Sequence, residues 1–148
     1  MNGDRNRIRR NLISANGSTA NDLGIDLGGD GVTPNDHGDG DTGPNDLQNF
    51  PFLVSAVRGT TATNVKVTLN SHPNTKYVLD FFSNLACDPS GHGEGAVVLK
   101  TAKVTTGAKG NFAGVVKLPL QPKGRFIAAT ATDPAGNTSE FSACRVVT

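Results

Sequence analysis

Tryptophan is absent from this chain and tyrosine occurs once, at Tyr77. Sugar-binding surfaces commonly present Trp and Tyr rings, apolar on the face and polar at the edge, so a carbohydrate platform has little to be built from. No run of about 18 apolar residues occurs, so nothing reads as a membrane-spanning helix. The first ten residues (MNGDRNRIRR) contain no apolar stretch and do not form a secretory signal. A secreted form of the chain is therefore expected to be an excised part of a longer one. Apolar residues make up 36% of the 148, below the usual share of a globular domain. The length still suffices for a real core, either as one domain with an appendage or as two small units. The only cysteines are Cys87 and Cys144. They fit one disulfide made in an oxidising compartment, with two buried free thiols as the alternative.

Lysine and arginine are missing from residues 11–57, which hold seven Asp. The net charge of +1 thus hides three blocks: +3 over residues 1–10, −7 over 11–57 and +5 over 58–148. The basic residues of the third block are spread singly along expected strands, a solvated face and not a nucleic-acid patch.

Within the acidic block, residues 24–46 (GIDLGGDGVTPNDHGDGDTGPND) carry six carboxylates: Asp26, Asp30, Asp36, Asp39, Asp41 and Asp46. Such a run repels itself. It is expected either to stay solvated and disordered or to be filled by a cation, and residues 28–51 are too long for an ordinary connection. Alternating Asp with Gly lets consecutive carboxylates turn inward, and hard cations such as calcium take six to eight oxygens from carboxylates, Asn side chains and carbonyls. Asp30, Asp36, Asp39 and Asp41 are the first candidate ligands; Asp26, Asn35 and Asn45 come second. Magnesium, which demands a tighter octahedron, fits less well. The loop is not an EF-hand, because counting from Asp39 places Phe50 where a bidentate acid is needed. It is more similar to the irregular calcium loops of thrombospondin type 3 repeats. The letters GDGDTG also match a phosphate-binding G-x-G-x-x-G, but no strand–helix context surrounds them and the Asp side chains would repel phosphate.

From Phe52 onward the pattern changes. Seven stretches read as strands: 52–58, 63–70, 75–83, 96–106, 111–118, 125–133 and 141–148. Val65, Val67 and Leu69 alternate with Lys66 and Thr68, the period of a half-buried strand. Tyr77, Leu79 and Phe81 share one face, as do Ile127, Ala129 and Ala131. Turn residues separate the runs, and no segment has a convincing helical period. The expectation is an all-β, immunoglobulin-like antiparallel sandwich of about seven strands. A cysteine bridge would tie the loop after the third strand to the last strand and contribute ~3–5 kcal/mol in the chain-entropy view.

Before the acidic loop, residues 6–27 contain Leu12 with Ile13 and Ile25 with Leu27, spaced as short strands. Asn6, Asn11 and Asn16 recur every five residues. The N-x-I patterns read as about one rung of a parallel β-helix, with a disordered arm as the alternative. One rung cannot bury its own face. The expected division is residues 1–27 as β-helix remnant or arm, 28–51 as acidic loop and 52–148 as sandwich.

Chemistry is sparse. His37, His72 and His92 sit in separate turns without zinc spacing, and Ser90 lies in no nucleophile elbow. No catalytic residue is assigned. A small metal-dependent hydrolase would have to use His37 with its Asp neighbours. A carbohydrate-binding module of a polysaccharide-degrading enzyme would need an exposed Tyr77 or Phe beside the acidic loop.

Residues 11–14 (NLIS), 24–36 (GIDLGGDGVTPND), 38–45 (GDGDTGPN) and 47–51 (LQNFP), followed by 81–84 (FFSN), 86–91 (ACDPSG), 93–95 (GEG) and 131–144 (ATDPAGNTSEFSAC), form a connected pattern. It resembles the C-terminal region of large bacterial surface proteins, in which a right-handed parallel β-helix ends, an acidic loop follows and an Ig-like module comes next. The resemblance implies an extracellular or cell-surface location and a Cys87–Cys144 bridge, but no activity. Together these readings point to a non-catalytic structural or adhesive module with a calcium-stabilised loop. Its expected partners are a polysaccharide or surface protein, or a second copy through the exposed β-helix end, and not nucleic acid.

Overall fold

The computed structural model describes residues 3–16, 19 and 22–148. Among the described residues there are seven strands: β1 (Phe52–Arg58), β2 (Ala62–Asn70), β3 (Lys76–Asn84), β4 (Val97–Thr105), β5 (Asn111–Pro119), β6 (Phe126–Thr132) and β7 (Arg145–Val146). They form a three-stranded sheet ordered β1-β2-β5 and a four-stranded sheet ordered β4-β3-β6-β7, and all neighbouring strands pair antiparallel. The sequence alternation dictates the packing. Val65, Val67 and Leu69 of β2 face Tyr77, Leu79 and Phe81 of β3 and Ile127, Ala129 and Ala131 of β6, all buried between the sheets. Among the described residues no helix is long and apolar enough to cross a membrane.

A half-buried strand has one wet face, but β3 and β6 do not. Phe82 and Ala128, on the outer face of the four-stranded sheet, join Ile25, Leu27 and Phe141 in a second apolar cluster, against which Ile8, Ile13 and Leu47 pack. The described residues among the first fifty are thus laid across the outside of the sandwich. The loop between β3 and β4 lies against the same face, and its close approach needs small residues. A Cβ on Gly93 would lie 2.3 Å from the Cβ of Ala128, and one on Gly95 would lie 2.8 Å from the ring of Phe82.

This covering layer has almost no regular structure. It contains a short 3-10 turn, Pro44–Leu47. The short strands expected around Leu12 and Ile13, and around Ile25 and Leu27, do not form among the described residues. Ile13 makes a single antiparallel bridge with Gly95, with N···O distances of 3.0 and 2.7 Å. Ile25 and Leu27 are buried in an irregular chain.

The last expected strand, 141–148, shrinks to β7. Residues 138–143 run beside β6, but side chains take over part of the ladder. The N–H groups of Ala129 and Ala131 donate to the hydroxyls of Ser142 (3.0 Å) and Ser139 (2.9 Å). Ser142 N and Ser139 N donate to the carbonyls of the same two alanines. A hydroxyl standing in for a carbonyl displaces the main chain from strand register, which is the physical reason for the difference. The Cys87–Cys144 disulfide closes a separation of 57 residues with Cα atoms 5.9 Å apart. The chain-entropy estimate for a loop of that size is about 4 kcal/mol.

One charge pair pins the arm. Asp80, at mid-β3 on the outer face, is fully buried; Arg9 Nε and Nη2 donate to its two oxygens at 2.9 and 3.1 Å, and the Thr101 hydroxyl donates as well. Removing one partner of such a pair leaves a buried charge uncompensated. Arg9→Ala is expected to cost about 3 kcal/mol in urea unfolding, and Arg9→Ala with Asp80→Asn to recover most of it. A single variant within about 0.5 kcal/mol of wild type would show that the pair does not hold the arm.

Candidate metal centre in the acidic loop

The loop is folded back by its own amides. Asn49 accepts from Asp36 N (3.0 Å) and donates to the carbonyls of Asp36 (2.8 Å) and Asn70 (2.9 Å). Asp36 accepts from Gly40 N at 3.0 Å, closing a turn that runs through Gly38 at φ 86° and Asp39 at φ 60°. Gly38 N donates to the Asn70 side chain at 2.7 Å, which docks the turn on the end of β2.

This turn brings together Asp36, Asp39 and Asp41, each offering an oxygen within 4.8 Å of the others. Their environments differ. Asp39 is buried and already bonded: Oδ1 accepts from Asn49 N (2.8 Å), and Oδ2 from Gln48 Nε2 (2.7 Å) and the Ser71 hydroxyl. Burial outweighs these bonds and pushes its proton affinity up. Asp41 Oδ1 is shielded from solvent and accepts from no other residue, its carboxyl having only its own main-chain amide nearby. Its carboxyl is also pushed up, by desolvation first and by the charge of Asp36 second. A buried acceptor without a donor costs free energy. A hard cation would supply what this oxygen lacks, and an all-carboxylate donor set suits calcium or magnesium over zinc.

The other sequence candidates lie elsewhere. Asp26 accepts from Gly29 N (2.9 Å) and Gly31 N (3.3 Å), shaping a separate turn. Asp30 is exposed and outside the cluster. Asn35 pairs with the Phe50 backbone, accepting at 2.9 Å and donating at 2.8 Å. Asn45 is buried and bonds Asn6 N (2.8 Å), Asn6 O (2.9 Å) and Thr138 O (2.9 Å). Both amides therefore do structural work on the backbone. His37 is exposed and contributes no atom to the cluster. Tyr77 is 0% exposed, with its hydroxyl against Ser71 and accepting from His72 N at 3.2 Å, so it presents no ring to a sugar. Phe52 is 52% exposed, beneath the Arg145 guanidinium at 6.0 Å.

The loop was expected to be either disordered or ligand-held, and the structure adds a third answer. The chain's two glutamates, neither singled out by sequence, each accept from a pair of main-chain amides in the covering layer. Glu140 takes Leu27 N and Thr33 N, both at 2.9 Å. Glu94 takes Ala15 N at 2.8 Å and Asn16 N at 3.0 Å. Asn137 accepts from Arg5 N at 2.7 Å and donates to Asp46 at 2.9 Å. Eight Asn among the first 50 residues were the available signal for such bonding, since short amides readily bond nearby backbone.

No protein-family model and no curated protein sequence matches the chain. Among solved structures the chain is similar to macromomycin, with 15% identity and a TM-score of 0.40 over 68% of this chain and 97% of that one.

Glu140 has a definite pH signature. Burial, with a smaller push from Asp26, raises its carboxyl above the ordinary range despite the bonds from Leu27 and Thr33. The folded state then holds this proton more tightly than the unfolded chain, so Glu140's contribution to stability falls as pH rises from the ordinary carboxylate value through the raised one. In denaturant titrations, the stability of wild type minus that of Glu140→Gln should decrease across that window; a difference independent of pH would contradict the assignment. At neutral pH, Glu140→Ala should cost about 3 kcal/mol, because two amides lose their charged acceptor.

Proposed function

We propose that the chain is a non-catalytic extracellular module, structural or adhesive, whose acidic loop is completed by a calcium ion. Asp36, Asp39 and Asp41 hold the ion, and backbone carbonyls or water fill the remaining positions that calcium requires. The observation that carries this reading is the solvent-shielded Asp41 oxygen, which accepts from no other residue, beside the Asp36 carboxylate. In a loop with no Lys or Arg, a divalent ion neutralises charge that nothing else in the segment offsets. The ion's role is to fix the loop at the junction with β1 and β2, not to take part in a reaction. A hydrolase reading requires His37 at the metal, and that ring is outside the cluster.

The sandwich is read as immunoglobulin-like. The chain crosses between sheets at β2–β3, β4–β5 and β5–β6, a Greek-key arrangement of seven strands. The disulfide supports an oxidising compartment. The resemblance to the C-terminal regions of bacterial β-helix surface proteins supports the same location and a longer parent chain. A polysaccharide, a surface protein or a second copy remains the partner class to which such a module would present itself.

Thermal unfolding tests the metal. Calcium at about 5 mM, against EDTA, should stabilise the protein by about 1–2.3 kcal/mol for an extracellular-type site, a shift of several degrees. Asp41→Asn should abolish the shift without lowering the metal-free midpoint, because it removes a desolvated charge next to Asp36. No calcium shift in protein shown by metal analysis to be metal-free would overturn the proposal.

A further inference from the structure

A second cleft, whose lining shares no residue with the acidic cluster, lies near the same end of the sandwich. Where the N-terminal arm crosses the end of the sandwich, a cleft of about 680 Å³ opens over the first residues of β3 and the last of β4 and β6. That volume is in the range that holds small organic ligands. Val78 and Pro134 supply apolar lining on the side of the cations, whereas Val104 and Phe112 reach it from the inter-sheet face; its charges are Arg7, Arg9, Lys76 and Lys103 against a single carboxylate, Asp133.

The balance is more one-sided than this count. Arg9 is neutralised by Asp80 behind it. Asp133 is turned to its own loop, accepting from Gly136 N (2.6 Å), Asn137 N (2.8 Å) and Asn137 Nδ2 (2.9 Å). Among the described residues, Arg7, Lys76 and Lys103 have no carboxylate at ion-pair distance. Three unpaired cations therefore rim an apolar cleft, and an anion entering it would meet converging positive potential beside low-dielectric walls.

We propose that this cleft binds a small amphipathic organic anion: an apolar, preferably aromatic body seated against Val78 and Pro134, with a carboxylate, sulfonate or phosphate group held by Arg7, Lys76 and Lys103. The site shares no lining residue with the Asp36, Asp39 and Asp41 cluster.

The test is a fluorescence titration of the intact chain at low ionic strength with two probes of the same ring system. These are 8-anilinonaphthalene-1-sulfonate and its uncharged analogue N-phenyl-1-naphthylamine. The sulfonate should bind saturably at one site, about tenfold or more tighter than the neutral probe. Lys76→Glu with Lys103→Glu should weaken the sulfonate by at least about tenfold while leaving the neutral probe within about twofold. Both lysines lie on strands at the surface, and an unchanged thermal midpoint would certify folding. Equal binding of the two probes, sulfonate binding indifferent to charge reversal in the folded variant, or no saturable binding would overturn the proposal.

Discussion

A polypeptide of nearly fifty residues, laid over a sheet with no strand and one short 3-10 turn among its described residues, has to find partners for its peptide groups somewhere other than its own ladder. That requirement organises this molecule. The acceptors come from side chains: Glu140, Glu94 and Asn137 on the sandwich side, and Asp39, Asn35, Asn45 and Asn49 within the layer itself. Charged acceptors serve best, since a bond to a carboxylate contributes about 1.5–3 kcal/mol against roughly 1 for a neutral one. The apolar contacts of Ile8, Ile13, Ile25 and Leu27 add burial to a layer whose path the hydrogen bonds define.

The same device explains the segment between β6 and β7. It lies beside β6 through Ser139 and Ser142, carries Glu140 and Asn137 to the layer, and ends at Cys144, which the disulfide ties to the loop after β3. Its apparently loop-like composition is what lets one stretch serve as partner to the sheet on one side and to the covering layer on the other. The proposed calcium ion finishes this scheme where side chains run out. Asp39 has its donors, whereas Asp41 Oδ1 has none from another residue.

Much of the sandwich was legible in the sequence. β1 was read with its observed bounds, and β2 to β6 within a residue or so at each end, because period-2 alternation and turn residues act locally. The face shared by Tyr77, Leu79 and Phe81 followed from the same period. What stayed hidden was why β6 is buried on both faces. Ala128 and Thr130 read as solvent-side positions until the covering layer is placed on them. The meeting of Asp36, Asp39 and Asp41 was partly legible, since Asp–Gly alternation marks a turning acidic loop. Asn35 and Asn45 could not be sorted from them, because an amide that ligates and an amide that binds backbone look alike in sequence. Glu140 and Glu94 gave no local signal: their partners lie 113 and 79 residues away.

The central claim is that side-chain acceptors, with or without metal, hold the covering layer on the sandwich. Amide hydrogen exchange in EDTA reads this directly at Leu27, Thr33 and Asn49, whose N–H groups donate to Glu140, Glu140 and Asp39. The account predicts that these three amides are protected, and that Leu27 and Thr33 lose protection in Glu140→Ala while the amides of β2 and β3 keep theirs. Exchange at the rate of an unfolded chain in the wild-type protein, with the sheets still protected, would contradict it.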